Sequence, residues 1–187
     1  RVLVYGMSDN PRGIETYLLN LVRQSENCPV AWDFVTDFPE IAYKEELKRA
    51  GCRIFYIPAK SKGLLKQWSA FAAILRKHPE YKTVYFNILN AGAAFTMAVP
   101  WILRRKIAVH SHNGSADSTR LHDLCRPFLN HMAKAFAACS AQAGTFMFGR
   151  KIMEKKEVLL VPNAIDSDKY DYNPQVRAKM RRLLEVE

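Results

Sequence analysis

No apolar run in this chain reaches the roughly 20 residues needed to span a bilayer. The best stretch, Ala91 to Leu103, carries Pro100 and runs into Arg104-Arg105-Lys106. It reads as a buried helix. Nor does the chain open on a basic segment followed by an apolar one, since Arg1 leads straight into Val2-Leu3-Val4-Tyr5. A cytoplasmic protein is expected. Cysteine is scarce and scattered. The four, at positions 28, 52, 125 and 139, include no C-x-x-C pair. That argues against a zinc site and suggests no disulfide framework, so reduced, mostly buried thiols are expected. Only 8 Gly and 9 Pro exclude a collagen-like or low-complexity chain, and 49% hydrophobic residues exclude disorder.

The signatures of several chemistries are missing as well. There is no G-x-G-x-x-G, no G-x-x-x-x-G-K-[ST], no G-x-S-x-G elbow, no H-E-x-x-H and no kinase set. Positive charge, by contrast, is in excess, with 28 Lys+Arg against 18 Asp+Glu and a formal net charge of +10. Such a surplus suits phosphate, nucleic acid or an anionic membrane surface. The basic residues fall in short clusters: Lys60, Lys62 and Lys66; Arg104 to Lys106; Arg150 to Lys156; and Arg177 to Arg182. None has the aromatic interleaving of a nucleic-acid motif, so no nucleic-acid partner is expected. Each alone reads as a solvated helix face or helix C-terminus.

At 187 residues the chain holds little more than one domain of about 150. Short apolar runs alternate with helical periods along it. Strands are predicted over Val2–Tyr5, Val30–Thr36, Cys52–Ile57, Thr83–Phe86, Lys106–Val109, Ala135–Cys139 and Glu157–Val161. Helices are predicted from Gly13 and over Ile41–Ala50, Leu64–Lys77, Ala91–Leu103, Leu121–Lys134, Ala141–Phe148 and Pro174–Leu184. This alternation implies βαβ units. The expected fold class is α/β, a doubly wound Rossmann-like parallel sheet of about seven strands with helices on both faces.

Three segments could carry chemistry. The loop Gly6 to Gly13 leads into Ile14-Glu15-Thr16, where a helix N-terminus at the carboxyl edge of a sheet suits a phosphate. The bland alternative is a plain turn, with Glu15 favouring the helix dipole. A polar loop is predicted over His110–Ser118. Its His110 and His112, two residues apart at a strand end, point to one side. They could begin a metal pair, although no convincing third ligand appears, or hold hydroxyls and phosphates; buried, merely satisfied histidines are the bland reading. Ser140 precedes a helix and could simply cap it.

Read together and in order, these segments resemble the N-terminal domain of retaining glycosyltransferases of the GT-B fold, family 4. The carriers are Arg1 to Tyr5, Gly13 to Leu21, Val109 to Asn113, Cys139-Ser140 with Phe148-Gly149, and Val161 to Asp166. The resemblance implies one half of a GT-B fold. Residues 1–187 would form a single acceptor-side domain, with the donor-binding C-terminal domain absent from this chain. The family's Gly-Gly-x-Glu stands here as Arg12-Gly13-Ile14-Glu15, its strand-end histidine as His112 with His110 at the threonine position, and its Asn-Gly-Ile-Asp as Asn163-Ala164-Ile165-Asp166.

The implied activity is transfer of a hexose from a nucleotide sugar to a polysaccharide or lipid-linked acceptor, with retention at the anomeric carbon. His112 would be the catalytic residue. Arg12, Gly13, Glu15, His110, Asn113, Ser140 and Asn163 would bind substrate. No cofactor or metal would be required. The lipid-linked acceptor and the basic clusters suggest peripheral attachment to the inner membrane face, and the fragment alone would be inactive. Two other classes stay open: a metal-dependent hydrolase using His110 and His112, and a non-catalytic α/β module that binds an anionic partner.

Overall fold

The computed structural model describes residues 1–25, 28–115, 119–164 and 171–186. Seven strands form one sheet: β1 (Val2–Tyr5), β2 (Trp32–Thr36), β3 (Ile54–Tyr56), β4 (Thr83–Ile88), β5 (Lys106–Ser111), β6 (Ala135–Ala138) and β7 (Val158–Leu160). Their order is β3-β2-β1-β4-β5-β6-β7, and every neighbouring pair is parallel. The expected doubly wound sheet is present. Winding reverses between β1 and β4, which places the switch point there.

The helices are α1 (Gly13–Gln24), α2 (Lys44–Arg49), α3 (Leu64–Lys77), α4 (Ala94–Ile102), α5 (Arg120–Met132), α6 (Ala141–Phe148), α7 (Arg150–Lys155) and α8 (Pro174–Leu183). Alternation along each strand sends successive side chains to opposite faces, so each face acquires its own core. On one, Val4 and Phe34 meet Ile14, Leu18, Leu19 and Val22 of α1 and Leu47 of α2. On the other, Leu3, Val84, Phe86, Ile107, Val109 and Phe136 meet residues of α3 to α6. Helices cover both faces.

Several boundaries differ from expectation for physical reasons. Strand β5 runs on to Ser111, so His110 and Ser111 belong to the sheet rather than to the predicted polar loop. Their polarity is accommodated because each finds a partner: the half-buried Tyr85 for His110, and the buried Ala143 carbonyl for Ser111. Strand β4 likewise continues to Ile88. Helix α2 starts only at Lys44, because Tyr43 adopts a left-handed backbone (φ 55°) after the buried pair Ile41 and Ala42. The helix predicted from Ala91 begins as a 3₁₀ turn, Ala91–Ala93, capped by Asn90, whose side chain accepts from the Gly92 N–H. The short helix α7 falls between a predicted helix and a predicted strand, in a segment too short and basic to show a clear period. Of the four thiols, Cys52 and Cys125 are buried, Cys139 is half-buried and Cys28 is exposed.

Where β2 begins, on the edge opposite the strand ends, Asp33 is fully buried. It accepts from the Arg1 guanidinium (2.5 and 2.6 Å), the Arg53 amide (2.7 Å) and side chain, and the Tyr81 hydroxyl (2.7 Å). Burial alone would raise its pKa. The hydrogen bonds outweigh burial and bring it down to about 2.

Candidate functional site

A cleft of about 750 Å³ opens at the carboxyl ends of β1, β2 and β4, against the first turn of α1. Its floor depends on Gly6. With φ at +114°, Gly6 lies so close to β4 that a Cβ there would stand 1.9 Å from the Asn87 carbonyl oxygen. Only glycine permits that approach. The following loop is stapled by Glu15, which is 4% exposed. One of its carboxylate oxygens accepts from the Ser8 amide (3.0 Å) and hydroxyl (2.7 Å), the other from the Arg12 amide (3.1 Å). Glu15 lines the cleft, but its carboxylate is committed to holding the loop. Gly13 is exposed, and a Cβ built on it would meet nothing within 4 Å among the described residues. The fold itself therefore does not require glycine there, and the first turn of α1 remains open to an anion.

The second wall comes from β4 and β5. The His110 and His112 rings lie 4.0 Å apart. The Tyr17 ring of α1 packs on both, at 5.0 and 5.1 Å. The Tyr85 hydroxyl lies 2.7 Å from His110 Nδ1, and His112 Nε2 lies 2.9 Å from Asn87 Oδ1. Burial, reinforced by neighbouring His112, pushes the His110 pKa down to about 3, and burial pushes that of His112 down to about 4. Both imidazoles are neutral near pH 7. Burial and the Tyr17 hydroxyl hold Tyr85 far above the ordinary phenol range. Among the described residues, no three His, Cys, Asp or Glu side chains gather as a metal site.

On the β2 side, Asp37 lines the cleft and is held from beneath. Its Oδ2 accepts from Tyr5 (3.1 Å) and Gln67 (3.2 Å), and Thr96 donates in turn to Gln67 (3.1 Å). Gln67 and Thr96 are fully buried polar residues, so this chain fixes the carboxylate from inside the core. Lys60 lines the same cleft.

Arg12, Gly13, Glu15, His112 and Asn163 thus share one cleft, with His110 directly beside His112. Strands β1 and β5 are separated only by β4, which is what brings their ends together. Asn113 and Ser140 do not line the cleft. Asn113 folds onto Ser115 of its own loop, and the Ser140 hydroxyl accepts from the Ala143 N–H (3.1 Å) as the cap of α6. The remainder of the expected polar loop, residues 116–118, and Ile165 and Asp166 of the Asn163 segment lie outside the described residues. Asn87, Asp37 and Tyr17 do not stand out in the sequence. Their only signal is a polar or phenolic residue at a strand end or on a helix face, which is common in loops and cores alike.

No family model matches the chain. Solved structures match it across the whole sheet. Anabaena HepE in complex with UDP and glucose superposes with a TM-score of 0.72 at 21% identity, over 98% of this chain and 50% of that one. A glycosyltransferase from Rickettsia africae gives 0.69 at 12% identity, over 100% and 50%. The chain is a Rossmann-like half of a GT-B fold. This GT-B half is also 31% identical over 194 residues to the putative glycosyltransferase EpsF of Bacillus subtilis, covering 94% of the chain and 48% of EpsF. It therefore spans about half the length of the curated relative it matches. In the described residues of the GT-B half, no helix is long and apolar enough to cross a membrane.

Proposed function

We propose that this GT-B half is the acceptor-side wall of a retaining, family 4 glycosyltransferase. The reaction is transfer of a hexose from a nucleotide sugar to a polysaccharide or lipid-linked acceptor. The carrying observation is that His112 and the open first turn of α1 meet in one cleft at the switch point. The likeness to EpsF and to a protein solved with UDP and glucose supports it. In this reading the α1 N-terminus and Arg12 stabilise the departing diphosphate, a task that helix ends and guanidinium groups perform without a metal. His112 contacts the transferred sugar or the acceptor. Asp37, with one oxygen fixed by Tyr5 and Gln67, offers the other to hydroxyls of the acceptor.

Attachment to an anionic membrane surface belongs to the same reading. Leu121, Leu124 and Phe128 lie on one side of α5, each more than half exposed. The stripe continues through His131 to Trp101, 5.7 Å away at the end of α4, and to exposed Ile102.

A transfer assay on the intact enzyme with a panel of nucleotide sugars tests the proposal, with the product's anomeric configuration read by NMR. Retention is expected. Replacing His112 with Ala should lower turnover by about 10²-fold or more, far more than it lowers stability. An inverted product, or an unchanged rate in His112→Ala, would refute the assignment. The 187 residues alone should bind nucleotide sugars weakly and show no transfer, because one open wall leaves phosphate contacts in competition with water.

A further inference from the structure

Two buried polar atoms next to His112 have no hydrogen-bond partner among the described residues: Asn87 Nδ2 and His110 Nε2. Their residues are paired in register across β4 and β5, so both side chains stand on one face, a strand spacing of about 4.8 Å apart. Asn87 is 1% exposed and His110 0%, so bulk water does not supply the missing partners. The bonds around them restrict the answer. An amide oxygen only accepts, so the contact between Asn87 Oδ1 and His112 requires hydrogen on His112 Nε2. The contact between Tyr85 and His110 Nδ1 can run either way. If the hydroxyl donates, His110 Nε2 carries hydrogen and faces the Asn87 amide: two buried donors and no acceptor. If Nδ1–H donates, Nε2 is bare and complements the amide hydrogen of Asn87 across the paired strands.

We infer that Asn87 links the two imidazoles and holds them in opposite tautomers, His110 protonated on Nδ1 and His112 on Nε2. Hydrogen bonds then run one way, from His112 to Asn87 to His110 to Tyr85 to Tyr17, whose hydroxyl is 3.2 Å from that of Tyr85. Each donor in such a chain polarises the next. Asn87 is a positioning residue. It leaves His112 Nδ1 bare, able to accept from a hydroxyl and with nothing to offer a phosphate oxygen. That consequence rests on the transferase reading; the tautomers do not.

Long-range ¹H–¹⁵N spectra of the ¹⁵N-labelled chain at pH 7 report which nitrogen of each ring is protonated. His110 should show a protonated Nδ1 and His112 a protonated Nε2. In Asn87→Ala both rings should give the averaged shifts of tautomer mixtures. Asn87→Asp keeps an acceptor for His112 but removes the donor to His110. It should raise the pH at which His112 takes up its second proton by about one to three units and switch His110 to the Nε2-protonated tautomer, because the carboxylate oxygen in place of Nδ2 accepts from Nε2–H while Tyr85 donates to Nδ1. The same tautomer on both rings of the wild-type chain, a mixture there, or an Asn87→Ala spectrum indistinguishable from wild type overturns the inference. The wild-type spectrum decides it even where a variant does not fold. It needs no transfer activity, so a failed transferase reading would instead appear as absence of sugar transfer by the intact enzyme.

Discussion

Gly6 and Asn87 touch backbone to backbone, with space for a hydrogen atom and not for a methyl group: a Cβ on Gly6 would stand 1.9 Å from the Asn87 oxygen. The contact joins β1 to β4 at the switch point, and Asn87 carries it onward to His112 at 2.9 Å. Gly6→Ala would add both a clash with backbone and an unfavourable positive φ. A loss of about 3 kcal/mol is expected in urea unfolding. Stability within about 0.5 kcal/mol of wild type would mean that the two strands part more readily than this packing allows.

Gly13 is the counterpart. Its φ is not in the left-handed region, and a methyl group at this position would have nothing within 4 Å among the described residues. Gly13→Ala should leave folding unchanged or stabilise it by up to about 1 kcal/mol, since alanine loses less entropy in a helix. Nucleotide-sugar affinity of the intact enzyme should nevertheless fall, because the methyl group occupies the open approach to the helix end. Calorimetry beside a thermal melt separates the two effects. Unchanged affinity would remove Gly13 from the binding site.

Asp33 should make the fold acid-sensitive. Its carboxyl has a pKa of about 2 when folded, against an ordinary value of 3.8. A depressed carboxylate pKa gives stability that is complete above the unfolded value and lost as pH falls through the folded one. The loss should total about 2 kcal/mol between about pH 5 and pH 2. Asp33→Asn should be less stable at pH 7, because Arg1 and Arg53 lose their shared partner, and should show a flatter acid limb. An acid limb as steep as that of wild type would rule out Asp33 as its source.

The histidine pair acts at higher pH. Folded values of about 3 for His110 and about 4 for His112 lie below the ordinary 6.5. Below about pH 6.5 the unfolded chain therefore takes up protons that the folded chain refuses, and stability falls with pH. Between about pH 6 and pH 5 each histidine should contribute a slope approaching about 1.4 kcal/mol per pH unit. Urea midpoints for wild type and His112→Gln over this range should differ in slope by about half of the pair's total. Equal slopes would mean that His112 titrates normally and is wetter than its packing against Tyr17 and His110 indicates.

The architecture is legible in the sequence because β1, α3 and α6 follow apolar periodicity with few exceptions, and strand-helix alternation leaves little choice of winding. The loop around Gly13 and the strand-end histidines can be placed at one edge for the same reason. The site's interior is harder to read. Asn87 and Asp37 matter through partners 25 and 30 residues away, His112 and Gln67. No local pattern announces such a pairing. His110 looks like a loop residue because polarity usually marks a strand's end. Here the strand continues, since Tyr85 on the neighbouring strand satisfies the ring. Asn113 and Ser140, polar residues beside a site motif, are engaged in turn and cap hydrogen bonds that their local spacing already suggests.

Membrane attachment gives the last prediction. The exposed stripe of α5, Leu121, Leu124 and Phe128, adjoins Trp101 and Ile102; exposed Arg120 opens α5, exposed Lys134 and Arg104 follow the ends of α5 and α4, and exposed Lys106 opens β5. Apolar side chains inserted among headgroups, with basic side chains at their margin, give reversible binding to an anionic surface. Each basic residue near that surface contributes about 1 kcal/mol, and this share is screened by salt. Flotation with vesicles containing phosphatidylglycerol should recover the chain at low salt and release most of it at about 0.5 M, roughly where the screening length falls below 5 Å. Vesicles of phosphatidylcholine alone should recover little. Replacing both Leu124 and Phe128 with Ser should abolish flotation while stability changes by less than about 1 kcal/mol, because the two side chains are already 66% and 63% exposed. If that variant floats as well as wild type, the stripe serves another partner; equal recovery on neutral and anionic vesicles would discard the electrostatic part of the attachment.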